Sequence, residues 1–174
     1  MPNWCTNTIS VSNKDPEMMK KFADALAEEK LFGALIPLGT EDGEWDYSTA
    51  IETWGCKWDA SDAYFELEKD GLSGSGNFST PWGPPIAAYE KLKELGFDIV
   101  ADYIEPGMCF AGAWTNETGS ESWEYDFNDE NWREGITNDD VLAMLEDEYE
   151  NWKEFQDEEN IDIDLDGGLS AVNE

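Results

Sequence analysis

Two proline-marked helix starts, Asp15-Pro16-Glu17 and Pro84-Pro85, each follow a run rich in strand-forming residues, and this pairing restricts the fold more than any other feature of the chain. From Trp4 to Val11 the set Cys5, Asn7, Ile9, Val11 alternates with Trp4, Thr6, Thr8, Ser10, the period-two pattern of a strand with two unlike faces. Asp15 then supplies an N-cap and Pro16 a preformed first helical residue. Met19, Phe22, Ala23 and Leu26 follow at helical spacing, predicting a helix that ends near Lys30, before Gly33. Residues 34–60 read as irregular around Pro37, Gly39, Gly43 and Gly55, with a short helical turn over 48–53.

Ala63 to Glu68 alternates again, and a turn region from Asp70-Gly71 to Gly76 leads to a second short strand, Asn77 to Thr80. Behind Pro84-Pro85, Ile86, Tyr89, Leu92 and Leu95 form a helical stripe closed by Gly96. Phe97–Ile104, Met108–Trp114 and Glu121–Phe127 then read as strands. The order β-α-β-β-α-β plus two strands predicts an α+β protein with a ferredoxin-like (split βαβ) antiparallel sheet, both helices on one face, extra C-terminal strands and a long acidic C-terminal helix. The word describes topology alone, since no iron–sulfur ligand set is present. Thr137 is the expected N-cap of that last helix, whose stripe is Val141, Leu142, Leu145, Tyr149 and Trp152 and which should reach Phe155 or beyond. Ile161, Ile163 and Leu165 alternate with aspartates and read as either an edge strand or a frayed tail. The expected division is a ferredoxin-like domain over 1–128 and an acidic helical extension over 129–174.

Charge narrows the function. The 41 acidic and 10 basic side chains leave a net charge of -31, a field that repels phosphate backbones and anionic lipid headgroups. Direct nucleic-acid or membrane binding is therefore not expected. With 40% hydrophobic and 13% aromatic residues the chain still has enough apolar surface to fold. It contains no histidine, so the usual near-neutral general base and the commonest metal ligand are missing. Cys5, Cys56 and Cys109 are odd in number and lack Cys-x-x-Cys spacing, which argues for reduced thiols and a cytoplasmic location rather than a disulfide framework or a metal knuckle. The beginning of the chain has neither a basic leader nor an apolar run.

Four segments carry a resemblance to a known family: Met1-Pro2-Asn3-Trp4-Cys5-Thr6-Asn7, Trp54-Gly55-Cys56-Lys57-Trp58-Asp59, Phe78-Ser79-Thr80-Pro81-Trp82-Gly83-Pro84-Pro85 and Phe110-Ala111-Gly112. Together they resemble the YubB-like family of phage and plasmid proteins over about residues 1–127. The resemblance implies a ferredoxin-like domain and a mobile-element origin, and no catalytic set. Trp54, Lys57, Trp58 and Trp82 match the family's motifs by position, while Cys56 stands where a threonine is expected.

The acids are unevenly placed. Residues 1–116 hold 20 acids and 8 bases, a net of -12, whereas residues 117–174 hold 21 acids and 2 bases, a net of -19. Salt adaptation would spread charge over the whole surface, so the crowding favours a dedicated anionic face. Glu146, Glu150, Glu154 and Glu158 lie four apart with no base in their row, and each like-charge pair costs about 0.2–0.5 kcal/mol. The bland alternative is a solvated helix face. The functional expectation is a stoichiometric acidic inhibitor that mimics nucleic-acid phosphates and binds a basic nucleic-acid-binding protein or complex, with no cofactor, no metal and no catalysis. Phage and plasmid proteins meet restriction and CRISPR machinery, which makes an anti-defence role the analogy to draw.

The partner-binding residues expected are Glu121, Glu124, Asp126, Asp129, Glu130, Asp139, Asp140, Glu146, Asp147, Glu150, Glu154, Asp157, Glu158 and Glu159. A second class of function is a small-molecule or peptide binding module in which Trp54, Trp58 and Trp82 line a pocket around Lys57; its alternative is tryptophans plugging the core beneath loops. Asp162-Ile163-Asp164-Leu165-Asp166-Gly167 opens like a calcium loop, but position twelve is Asn173 where a bidentate glutamate is required, so no dedicated calcium site is expected.

Overall fold

A computed structural model describes residues 2–41 and 43–167, with side chains to residue 157. The chain divides into two compact units, Met1–Tyr125 and Asp126–Glu174.

The first unit is α+β. Its elements are β1 (Trp4–Ser12), α1 (Pro16–Ala27), α2 (Leu31–Leu35), α3 (Tyr47–Trp54), β2 (Ser61–Leu67), β3 (Ser73–Pro81), α4 (Ile86–Glu94), β4 (Asp98–Glu105), β5 (Phe110–Thr115) and β6 (Gly119–Glu124). The six strands form one open sheet in the order β2-β3-β1-β4-β5-β6. Every neighbouring pair is antiparallel.

β1 is central, and its alternation does what period two requires. Cys5, Asn7, Ile9 and Val11 are buried, while Trp4, Thr6, Thr8 and Ser10 face the other way and are exposed. Phe78 lies opposite Asn7 on β3 and Tyr103 lies opposite it on β4, so the buried face continues across the sheet. Met19, Phe22 and Leu26 of α1 join that core, with Phe22 ring centroids 5.3 Å from both Phe65 and Phe97. Each such side chain removed from water contributes about 1.5–3 kcal/mol.

β2 and β3 approach so closely that a Cβ at Gly76 would sit 2.0 Å from the Tyr64 carbonyl oxygen. A side chain there would break the pairing, which is why the turn-rich run 70–76 carries strand as well as turn. β3 accordingly begins at Ser73 and not at Asn77.

Other boundaries also differ from expectation. α1 stops at Ala27, slightly ahead of the expected end near Lys30, and a short α2 from Leu31 carries Gly33 in its interior. The carboxylate of Asp59, distant in sequence, accepts hydrogen bonds from Phe32 N and Gly33 N (2.8 Å each) at the start of that helix. The short helical turn expected over 48–53 is there as α3, one residue longer at each end, capped by Asp46 and closed by Gly55 at φ 81°. Leu95 is exposed, and α4 buries Ala88, Tyr89 and Leu92 in the core with Ile86 packed partly buried against it. β5 and β6 begin two residues away from their expected starts, at Phe110 and Gly119.

The second unit begins at Asp126, ahead of the boundary at 128/129 drawn from sequence. A loop leads into α5 (Asp139–Gly167). The cap of α5 is Asn138 rather than Thr137: the Asn138 Oδ1 accepts from Asp140 N and Val141 N at 3.0 Å each. The backbone of residues 161–167 continues the helix, which corrects the reading of the Ile/Asp alternation as an edge strand or frayed tail. Position twelve of the calcium-loop pattern lies outside the described residues. Among the described residues no helix is long and apolar enough to cross a membrane.

Candidate functional site

The expected acidic site divides when placed on the structure. Glu121 and Glu124 belong to β6 in the first unit, and their odd spacing puts them on opposite faces of the strand. They do not form one edge. Asp126, Asp129 and Glu130 lie in the loop before α5, where the first two act on their own backbone. Asp126 Oδ1 accepts from Asn128 N (3.0 Å) and Nδ2 (2.9 Å), which holds its carboxyl below the ordinary range, and Asp129 Oδ1 accepts from Asn131 N (2.9 Å). Glu130 is exposed.

On α5 the acids are sorted. At about 100° per residue, Asp139, Asp140, Glu146, Asp147, Glu150, Glu154 and Asp157 fall within an arc of roughly 120°, and Val141, Leu145, Tyr149 and Trp152 centre on the opposite side. Val141 and Leu145 are fully buried, whereas Asp139, Asp140, Asp147, Glu150, Glu154 and Asp157 are exposed. Glu148 falls outside the stripe. Glu158 and Glu159 share the helical backbone, but their side chains lie outside the described residues.

The row from Glu146 to Glu158 contains no base of its own; Lys153, expected to offset it through Glu150 and Asp157, pairs with Glu150, while Arg133 reaches it from the loop. Arg133, from the loop, makes a two-pronged ion pair with Glu146, its Nη2 donating to Oε2 at 2.7 Å. The same guanidinium stacks 4.2 Å from the Trp132 ring centroid and 5.2 Å from that of Tyr149. Hydrogen bonding from Arg133 holds the Glu146 carboxyl below its ordinary range, and the pair raises Arg133 in turn. Lys153 donates to Glu150 at 2.7 Å and sits 4.8 Å over Tyr149. Glu146 and Glu150 are thus partly neutralised. Asp139, Asp140, Asp147, Glu154 and Asp157 make no ion pair with the described residues. Phe127, Trp132, Tyr149 and Trp152 pack around these cations with centroid separations of 5.1–5.9 Å, tying the loop to the helix. Sequence periodicity could not reveal this clamp, because Arg133 lies thirteen residues from Glu146.

The aromatic motifs also separate. Trp54 is 5% exposed, donates its Nε1 proton to Ile36 O at 2.8 Å and packs on Phe32. It plugs the core and does not join the other three residues expected to form a pocket. Lys57, Trp58 and Trp82 do meet: the Trp58 and Trp82 rings stack with centroids 6.3 Å apart, and Lys57 Nζ lies 4.4 Å from the first and 5.7 Å from the second. Trp4, missed at this site, extends the row at 6.2 Å from Trp58. Its signal was a tryptophan on the polar face of an alternating strand. The three indoles are 39%, 39% and 48% exposed in the order Trp4, Trp58, Trp82.

The turn that holds Trp82 is built from beneath. Asn7 Nδ2 donates to Thr80 Oγ1 (2.9 Å), Thr80 Oγ1 donates to Gly83 O (2.7 Å), and the buried Tyr89 hydroxyl donates to Asn7 Oδ1 (2.9 Å). Above that network Trp82 sits at φ 64°, in the left-handed region that a bulky side chain avoids, with its backbone N–H donated to Asn3 O.

The two buried thiols are not activated by their surroundings. Burial, reinforced by Glu105 and Cys56, pushes the Cys5 thiol up to about 12. Burial, reinforced by Asp59, does the same to Cys56. Burial also raises the Asp59 carboxyl, against the hydrogen bonds from Gly33, Phe32 and Ala60 that favour its charged form. Among the described residues no group of three or more Cys, Asp or Glu side chains is placed to hold a metal.

No family model matches the chain, and no curated protein matches it. Among solved structures, protein api92 from Yersinia pseudotuberculosis, assigned to family DUF1281, is 19% identical with a TM-score of 0.36, over 46% of this chain and 30% of that one. This chain thus spans under a third of that neighbour.

Proposed function

We propose that the chain is a stoichiometric acidic decoy whose α5 stripe imitates nucleic-acid phosphates and occupies a basic nucleic-acid-binding protein, as an anti-restriction or anti-CRISPR protein of a phage or plasmid acting in the host cytoplasm. The observation that carries this reading is the sorting of seven carboxylates onto one side of α5, from Asp139 to Asp157. Over about 27 Å of axis that is roughly one carboxylate per 4–5 Å, against one phosphate per ~3.4 Å along a single DNA strand. A basic channel meeting such a stripe gains from electrostatic steering and from release of its counterions, and both gains fall as salt rises. Mimicry needs no cofactor and no catalytic group.

The first unit is then the scaffold, which we read as a ferredoxin-like domain of the YubB-like kind. Support for that reading comes from the run β2-β3-β1-β4, in which the β1-to-β2 and β3-to-β4 connections carry helices and each crosses one intervening strand. β5 and β6 extend its edge.

The test is capture from host lysate on the immobilised full chain at about 50 mM salt, followed by challenge with duplex DNA or with about 500 mM salt. A captured nucleic-acid-handling protein released by both challenges supports the decoy. Capture that resists both, or no loss of capture when Asp147, Glu154 and Asp157 are all replaced by lysine, overturns it.

A further inference from the structure

We propose that Trp4, Lys57, Trp58 and Trp82 form a docking strip for a proline-rich peptide in the polyproline II conformation, a site independent of the acidic stripe on α5. Three half-exposed indoles in a row with 6.2 Å and 6.3 Å spacings are a large apolar investment in a chain of net charge -31. Exposed tryptophans clustered in this way are the composition of an interface centre. The backbone strain at Trp82 points the same way. A bulky residue is held in the left-handed region by a buried Asn7–Thr80–Tyr89 network, and the ring it carries faces solvent instead of filling the core.

The hydrogen-bonding chemistry of the strip selects the ligand. Indole Nε1 is a donor only, and so is the lysine ammonium. Trp45 and Trp54 give their N–H groups to the carbonyls of Lys57 and Ile36, whereas the N–H groups of Trp4, Trp58 and Trp82 meet no acceptor among the described residues, and Lys57 meets no carboxylate there. The side chains of the strip therefore offer apolar faces and donors, and no acceptors.

A proline tract is the complement. It has ring faces to lay on indoles, no backbone N–H of its own, and carbonyls left open because polyproline II forms no internal hydrogen bonds. Its conformation is set before binding, which lowers the entropy cost on a shallow surface. Neutral sugars can accept from these donors through their oxygens, but each hydroxyl also brings a donor for which the strip's side chains hold no acceptor, whereas the carbonyls of a proline tract bring none. Polyanions are repelled by the net charge, and an aromatic cage for a cation is already occupied by Lys57.

The experiment titrates the isotopically labelled full chain with synthetic decaproline and follows the indole N–H resonances, assigned by Trp4→Phe, Trp58→Phe and Trp82→Phe. The expected result is saturable movement of those three signals, while the Trp54 signal stays still. Trp82→Ala should weaken binding roughly tenfold or more. Lys57→Met, which keeps the stem and all three rings, should weaken it a few-fold and Lys57→Arg should restore it. No saturation by about 1 mM decaproline, equal binding of a Gly-Ser decapeptide, or saturation by cellohexaose in place of decaproline would each overturn the proposal. Because α5 is untouched, Asp147→Lys, Glu154→Lys and Asp157→Lys together should leave decaproline binding unchanged, which separates this site from the decoy reading.

Discussion

Residues 1–125 and 126–174 carry nearly equal net charge, -15 from 23 acids and 8 bases against -16 from 18 acids and 2 bases, although the second stretch is less than half as long. The first unit holds its shape by burying an apolar face across a sheet, and its acids are dispersed. The second unit holds its loop to α5 through rings and two cations, Arg133 and Lys153, and leaves the outer side of α5 to carboxylates. Burial can be strong without charge, and charge can be concentrated only where few side chains must be buried. Form and charge thus reside in different parts of this chain.

The comparison can be broken most readily at the first unit's core. Phe22→Ala, which opens a cavity between Phe65 and Phe97, should cost about 4 kcal/mol by denaturant unfolding; a loss below 1 kcal/mol would mean that burial does not hold the sheet. Next in size, Asn7→Ala strands the Tyr89 hydroxyl and takes away the donor to Thr80 Oγ1, and should cost about 2–3 kcal/mol. It should also change the environment of Trp82, visible in its indole resonance. In the second unit, loss of the α5 cap should have a smaller effect. Asn138→Ala removes the α5 cap and should cost about 1 kcal/mol, with faster amide exchange at Asp140 and Val141.

The smallest effect is a pH effect. Glu146 is held below its ordinary value of 4.5 by Arg133, so the unfolded state binds the proton more readily. The contribution of the pair is full above that ordinary value and is lost as pH falls through the lower, folded one. Acidification into that window should lower the amide-exchange protection factors of residues 126–138, and Arg133→Ala should remove the pH dependence of that protection. Equal exchange in both variants across the titration would show that the clamp does not hold the loop.

How much of this was legible in sequence depended on range. The alternation of β1 and the stripe of α1 were readable because period two and period 3.6 are local properties of the chain. That α1 ends before Gly33 was readable, but the short α2 around Gly33 was not, because the Asp59 carboxylate that satisfies the amides at its start is brought in from 26 residues away. Thr137 and Asn138 are both competent caps, and only backbone geometry chooses between them. At the sites, the acidic stripe of α5 followed from spacing alone. The neutralisation of Glu146 did not, since nothing local connects it to Arg133. Trp54 and Trp58 are four residues apart and chemically alike, yet one donates to Ile36 O inside the core and the other lies beside Lys57 at the surface. Which tryptophan a loop buries is decided by tertiary packing, which a motif does not encode.

The most direct measurement is the salt dependence of affinity between the full chain and the basic nucleic-acid-binding protein it is proposed to occupy. Log affinity should fall linearly with log salt, with a slope of several units, and lysine at positions 147, 154 and 157 should flatten the slope and lower the affinity together. A slope near zero, unchanged by those three reversals, would contradict the account.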